Sequence, residues 1–191
     1  MLEIGCGSSE FAIGLHESGY EVVGCDYAEA QINALNKQHK KLLGEGLSFE
    51  TVDCRQLEQH YSCESFDAVV DKACLDSMLS GGFDTARATC AEVSAVLKPG
   101  GHLVVVSHAS PEGELGETLL HGVILDAVNT VDFRWQVAIH SSEEMGDEFV
   151  HIYVLRKVVR AATRAESERK RQISSGELDS TGDVEIERHW H

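Results

Sequence analysis

Five short apolar runs in the first 107 residues each reach a polar or glycine boundary, and helical stretches separate them. Leu2–Ile4 runs into Gly5-Cys6-Gly7, Glu21–Cys25 ends at Asp26, Leu47–Val52 at Asp53, and Phe66–Val70 at Asp71. His102–Ser107 is a dense valine strand of the kind buried in a parallel sheet. Between them, Phe11, Ala12 and Leu15 share a helical face, with Ser8 or Ser9 as its cap and Gly19 as its stop. Residues 28–40 turn Ile32 and Leu35 inward. Phe83, Ala86, Cys90, Val93 and Leu97 form an amphipathic stripe that Lys98-Pro99-Gly100-Gly101 ends with a turn. Leu119, Leu120, Val123, Ile124 and Ala127 predict one more helix. Two strands follow, at about 132–140 and 149–156, joined through Ser141–Asp147 closely enough for an antiparallel hairpin. The pattern predicts an α/β, doubly wound, seven-stranded, mostly parallel sheet with an antiparallel edge hairpin. That domain spans residues 1–157. Residues 158–191 are charged and poor in apolar side chains, which predicts a frayed helix and then flexible chain.

Charge and cysteine usage narrow the function classes. The net charge is −16, and residues 1–156 carry the whole excess, with 25 acidic against nine basic side chains. Such a body repels nucleic acid and attracts basic partners, although solubility alone also accounts for the charge. The six cysteines form no Cys-x-x-Cys pair and read as reduced, mostly buried small hydrophobes, with no metal site expected. No apolar run approaches the length of a membrane span and no signal peptide precedes the first strand, so a cytoplasmic protein with no membrane association is expected.

In a doubly wound sheet the ligand crevice lies outside the carboxyl ends of the strands. Glu3, Gly5, Asp26, Asp53, Asp71 and Lys72 all fall there. Gly5 and Gly7 permit a tight turn and close approach of a ligand to the backbone. Glu10 occupies the position of a third glycine, and Glu3 precedes the turn; two acids there disfavour a pyrophosphate and suit a cationic or amine-bearing ligand without phosphate. Asp26, 19 residues after Gly7, can accept bonds from two ribose hydroxyls. Asp53 can accept from an adenine amino group, with the Cys54 N–H meeting a ring nitrogen; the alternative is a helix cap. His108 follows the fifth strand and can reach the crevice mouth, whereas His140 and His151 suit cross-strand or core roles. Phe133 and Trp135 read as core, with a groove wall as the alternative. His189-Trp190-His191 is too short and isolated to argue a metal site.

Glu3-Ile4-Gly5-Cys6-Gly7, Gly24-Cys25-Asp26-Tyr27, Val52-Asp53, Phe66-Asp67-Ala68-Val69-Val70 and Leu97-Lys98-Pro99-Gly100-Gly101 resemble, in order, the motifs of class I S-adenosylmethionine-dependent methyltransferases. The run Ser65-Phe66-Asp67-Ala68-Val69-Val70-Asp71-Lys72-Ala73-Cys74-Leu75-Asp76 is similar to that of the methyltransferase-like subgroup containing elongation factor 1A lysine methyltransferases, with Ala73-Cys74 in place of Gly-Thr. Phe149–Lys157 also resembles that subgroup, so the likeness covers residues 1–157. It implies S-adenosyl-L-methionine as cofactor. Glu3, Gly5 and Gly7 would line its methionine end, Asp26 with Tyr27 beside it would bind ribose, and Asp53 and Cys54 would hold adenine. Asp71 would face the methyl group and the nucleophile, with Asp76 one turn further on and Lys72 pairing with either acid. In members of the family a helical segment of some tens of residues precedes the first strand, and the resemblance implies that this chain lacks it.

The activity so implied is methylation of lysine on a basic protein such as a translation factor. The acids would attract and orient the ammonium, although a normal carboxylate is a weak base for removing its proton. No Asn-Pro-Pro-Tyr run follows the fourth strand, which argues against amino-group methylation of adenine, cytosine or glutamine. Competing readings are a small-molecule methyltransferase and a truncated cofactor-binding module without activity.

Overall fold

The computed structural model describes residues 1–8, 10–130, 132–145, 148–160 and 184–190, with the backbone alone for 142–149 and 184–190. Seven strands form the expected sheet: β1 (Leu2–Ile4), β2 (Val22–Asp26), β3 (Leu47–Thr51), β4 (Phe66–Lys72), β5 (Leu97–Ser107), β6 (Phe133–Met145) and β7 (Glu148–Val159). Their order is β3-β2-β1-β4-β5-β7-β6, which is the class I methyltransferase arrangement. β1 is only three residues long but lies centrally, pairing in parallel with both β2 and β4. The chain reverses direction in the sheet between β1 and β4, and that reversal opens the crevice at their carboxyl ends. β6 and β7 form the antiparallel hairpin, and their ladder continues through the expected connection, pairing Met145 with Glu148.

An eighth strand, β8 (Val184–Trp190), pairs in parallel with the outer edge of β6. The sequence reading expected flexible chain there. Val184, Ile186 and Trp190 alternate with polar residues, a strand period within a polar segment, and β6 otherwise presents an open edge to pair with. Residues 161–183 of the expected tail, and His191, lie outside the described residues.

Helices cover both faces. α1 (Phe11–Glu17) and α2 (Glu29–Gln38) pack Ala12, Ile13, Ile32 and Leu35 against Val22, Leu47 and Phe49. On the other face α3 (Cys74–Leu79) and α4 (Phe83–Val96) bury Leu75, Ala86, Cys90, Val93 and Val96 against Ile4, Val69, Leu103 and Val105. The last helix runs as α5 (Glu114–Glu117), a π-helical stretch (Thr118–Leu125) and α6 (Asp126–Val128).

Three local expectations need correction. Glu10, not Ser8, occupies the N-cap of α1, with no side-chain cap bond, and Ser9 lies outside the described residues. Lys98-Pro99-Gly100-Gly101 lies inside β5 as an irregularity, where Gly100 takes φ +83° and the β4 register shifts between Phe66 and Ala68. The short helix α3 begins directly after β4, unlike the single helix expected between β4 and β5. Trp135 is fully buried, donating from Nε1 to the Val128 carbonyl at 3.0 Å, so it belongs to the core. Phe133 is partly exposed beneath the Lys157 ammonium, 4.3 Å from the ring centre. His151 is buried with Nδ1 2.8 Å from Ser141 Oγ, a cross-strand role.

Candidate active site

The crevice at the carboxyl ends of β1, β2, β3 and β4 holds a cavity of about 430 Å³. Gly5, Asp26, Tyr27, Asp53, Cys54 and Cys74 line it, with Val52, Arg55, Ser77, Met78 and Thr85 completing the wall. The glycine turn after β1 makes room for it. Gly5 and Gly7 adopt φ +58° and +54°, a left-handed backbone that costs an L side chain roughly 1–2 kcal/mol. A Cβ at Gly5 would also collide with Cys74 Sγ. The turn is tied to β2 by the Cys6 N–H donating to the Cys25 carbonyl at 2.9 Å.

Asp26 is the hinge pin of this arrangement. Its Oδ2 accepts the Gly7 N–H and its Oδ1 accepts the Ala28 N–H, both at 2.9 Å. One carboxylate thus joins the turn after β1 to the end of β2. Each oxygen retains a further lone pair for a ligand hydroxyl. Tyr27 beside it is 79% exposed and offers an aromatic face at the cavity rim.

Asp53 closes β3 as an N-cap, accepting the Arg55 N–H at 3.0 Å. The Arg55 guanidinium grips both carboxylate oxygens and holds the acid below its usual range. The cap alternative weighed for Asp53 is therefore realised, on a residue that still lines the cavity. Cys54, next in the chain, is buried with its sulfur 3.9 Å from Thr89 Oγ1.

The remaining acids are sequestered. Glu3 is 1% exposed, with Oε2 unpartnered, and burial pushes its carboxyl up to about 7. Glu3 lies level with Val70 of β4, which makes Lys72 its diagonal neighbour, and the ammonium opposes that rise. Asp71 points to the opposite face and is fully buried, with Oδ1 accepting the Leu75 N–H at 3.0 Å and Oδ2 unpartnered. Burial, seconded by the nearby Asp76 and Cys54, pushes it up to about 8. Asp76 is half-buried and accepts from Ser107 Oγ at 2.7 Å and from the His108 N–H at 3.1 Å, which ties α3 to the end of β5. Lys72 is exposed on the face of β4 that Glu3 shares, opposite Asp71, and among the described residues no ion pair joins it to Asp71 or Asp76. The structure therefore brings Gly5, Asp26, Tyr27, Asp53 and Cys54 to one cavity and leaves Glu3, Gly7, Asp71, Lys72 and Asp76 off its surface. Sequence reasoning missed Ser77 and Met78, which reach the cavity because α3 exists as a separate turn, and Thr85, which reaches it from the first turn of α4. The apolar pair Leu75 and Met78, one turn apart, was the available signal.

Residues 1–163 match the sequence model of a family described as "Methyltransferase domain". The chain belongs to this family. A mouse relative of the methyltransferase domain, EEF1A lysine methyltransferase 4, is 31% identical over 122 residues, covering 58% of this chain and 46% of its own length. Citrate synthase-lysine N-methyltransferase from Pongo abelii is 27% identical over 60% of this chain and 53% of its own. The chain thus spans about half the length of these curated relatives. Among solved structures, a methyltransferase from Methanosarcina mazei superposes with TM-score 0.63 at 20% identity, over 84% of this chain and 92% of that one. The N-methyltransferase NodS from Bradyrhizobium japonicum gives 0.58 at 20% identity, over 82% and 84%. At these identities the structures establish the fold alone. No helix among the described residues is long and apolar enough to cross a membrane.

Proposed function

We propose that this methyltransferase domain binds S-adenosylmethionine in the 430 Å³ cavity and methylates lysine on a basic protein of the elongation factor 1A kind. The observation that carries the cofactor half is the Asp26 carboxylate. It is fixed by two backbone N–H groups, faces the cavity, and keeps acceptor capacity on both oxygens for a ribose diol. The volume lies within the roughly 300–1,000 Å³ of small-molecule sites. The left-handed turn at Gly5 and Gly7 leaves backbone where a ligand can approach without side chains.

When bound, the cofactor supplies an activated methyl group on a sulfonium. The residues of this chain bind and align. Asp26 holds the ribose, Tyr27 covers it, and Asp53 with the Cys54 backbone flanks the base. Gly5 lines the methionine end, with Gly7 shaping the same turn and Glu3 buried behind it. Asp71 and Asp76 act as positioning residues: Asp71 anchors the start of α3 beneath the cavity, and Asp76 fixes α3 to β5. Lys72 and His108 are the exposed ionisable side chains at the ends of β4 and β5, where a substrate lysine would arrive. Most of the work is alignment of that nucleophile behind the methyl group. The excess of 25 acids over nine bases in residues 1–156 favours a basic partner. The curated relatives named for lysine methylation support the substrate class, and six free thiols suit the reducing cytoplasm.

The test is transfer of labelled methyl from the cofactor to purified elongation factor 1A, with the modified residue located by peptide mass. Label on a lysine is the expected result. Label confined to small metabolites in a parallel incubation with cell extract overturns the protein substrate.

A further inference from the structure

The cavity floor brings together two cysteines from separate elements. Cys54 opens the 3-10 turn Cys54–Gln59 after β3, and Cys74 opens α3 after β4. Both line the cavity. Cys74 Sγ lies directly under Gly5, in the space a Cβ there would fill. The two thiols influence one another: their interaction pushes Cys74 up and is the largest cause holding Cys54 below its ordinary range. The other four thiols are placed differently. Burial pushes Cys6, Cys25 and Cys90 up. Cys63 is exposed but donates to Glu58 Oε1 at 3.2 Å, which also raises it.

We propose that Cys54 and Cys74 form a peroxide-responsive modification site whose reversible disulfide closes the cavity. Thiolate character and access decide which cysteines react, and this pair combines a favoured thiolate, a neighbouring resolving thiol and a solvent route through the cavity. The Cys54 thiolate attacks one oxygen of hydrogen peroxide. The O–O bond breaks, and the departing hydroxide takes a proton to become water. Cys54 is then a sulfenic acid. The Cys74 sulfur attacks the Cys54 sulfur, the S–O bond breaks, and the leaving hydroxide takes the Cys74 proton as a second water. Two thiols and one peroxide give one disulfide and two waters, and a dithiol reductant returns the two thiols by exchange, becoming a disulfide itself.

The bond links the end of β3 to the start of α3 across the floor and draws Cys74 from beneath Gly5. Asp53 and Arg55 flank Cys54 in the chain, Ser77 and Met78 follow Cys74 on α3, and all four line the same cavity. The effect on cofactor rests on the proposed function; the chemistry of the pair does not. The experiment treats the reduced full chain with one equivalent of hydrogen peroxide, alkylates free thiols and maps the peptides. We expect a crosslink between Cys54 and Cys74 that dithiothreitol removes, that Cys63→Ser retains and that Cys74→Ser abolishes. S-adenosylhomocysteine should then bind the oxidised protein at least tenfold more weakly than the reduced protein. No crosslink, a crosslink between other cysteines, or equal affinity in the two states overturns the proposal. The map is made on the unaltered chain, so a poorly folding variant leaves it decisive. Reduced protein that binds no S-adenosylhomocysteine refutes the cofactor reading, while the map alone then decides the thiol pair.

Discussion

Asp71→Asn should flatten the alkaline loss of stability. Asp71 is fully buried, receives one hydrogen bond at 3.0 Å and leaves Oδ2 without a partner. Its carboxyl is pushed from an ordinary 3.8 up to about 8, chiefly by burial. A folded-state value above the unfolded one means that the folded state holds the proton more tightly. The stabilisation is complete below the unfolded value near 4 and is lost as pH rises through about 8. Each pH unit over which only the folded state is protonated changes stability by about 1.4 kcal/mol, so this one group removes about 2.7 kcal/mol between pH 6 and pH 9. Glu3, pushed up to about 7, removes about 1.4 kcal/mol over the same interval by the same sign. Urea unfolding of the cofactor-free chain at pH 6 and pH 9 measures both. Asparagine resembles the neutral acid in shape and needs no proton, so Asp71→Asn should exceed the native chain by about 3 kcal/mol at pH 6, where the unfolded native chain is already ionised, and by about 2.7 kcal/mol more at pH 9. Parallel losses in the native chain and the variant would refute the reasoning.

Further perturbations probe the turn, the core and the sheet edge. Gly5→Ala meets both the left-handed backbone and Cys74, so it should lose about 2–4 kcal/mol, read as a lower urea midpoint; the added change Cys74→Ala should recover only the clash component. Lys157 is 3% exposed and donates to the Ser94 and Leu97 carbonyls at 2.7 and 2.9 Å, closing the end of α4; Lys157→Met should cost about 2–3 kcal/mol in the same assay. Trp135→Phe removes the bond to the Val128 carbonyl and leaves that acceptor buried, for a loss of about 1–3 kcal/mol.

The strand order and both helical layers were legible because strand ends coincide with glycine or acid at Gly5, Asp26, Asp53 and Asp71. β5 alternates fully buried Leu103 and Val105 with half-buried Val104 and Val106, and its apolar run is a signal that survives without tertiary context. What escaped were features set by tertiary partners. Arg55 gripping Asp53 is a choice between water and a neighbour that no spacing reveals. Whether Asp71 faces ligand or core depends on α3, whose single apolar turn is too short to show a period. β8 depends on an open edge of β6 far away in sequence. Asp26 was the easiest residue to place, since its position after β2 also brings it within reach of the Gly7 N–H.

The central claim is that the cavity beside Asp26 is a cofactor site. Calorimetric titration of the reduced chain with S-adenosylhomocysteine should show one site per chain, and Asp26→Ala should weaken it at least tenfold, with the circular dichroism spectrum unchanged. No heat with either S-adenosylhomocysteine or S-adenosylmethionine, or an unchanged dissociation constant in a folded Asp26→Ala, would contradict it.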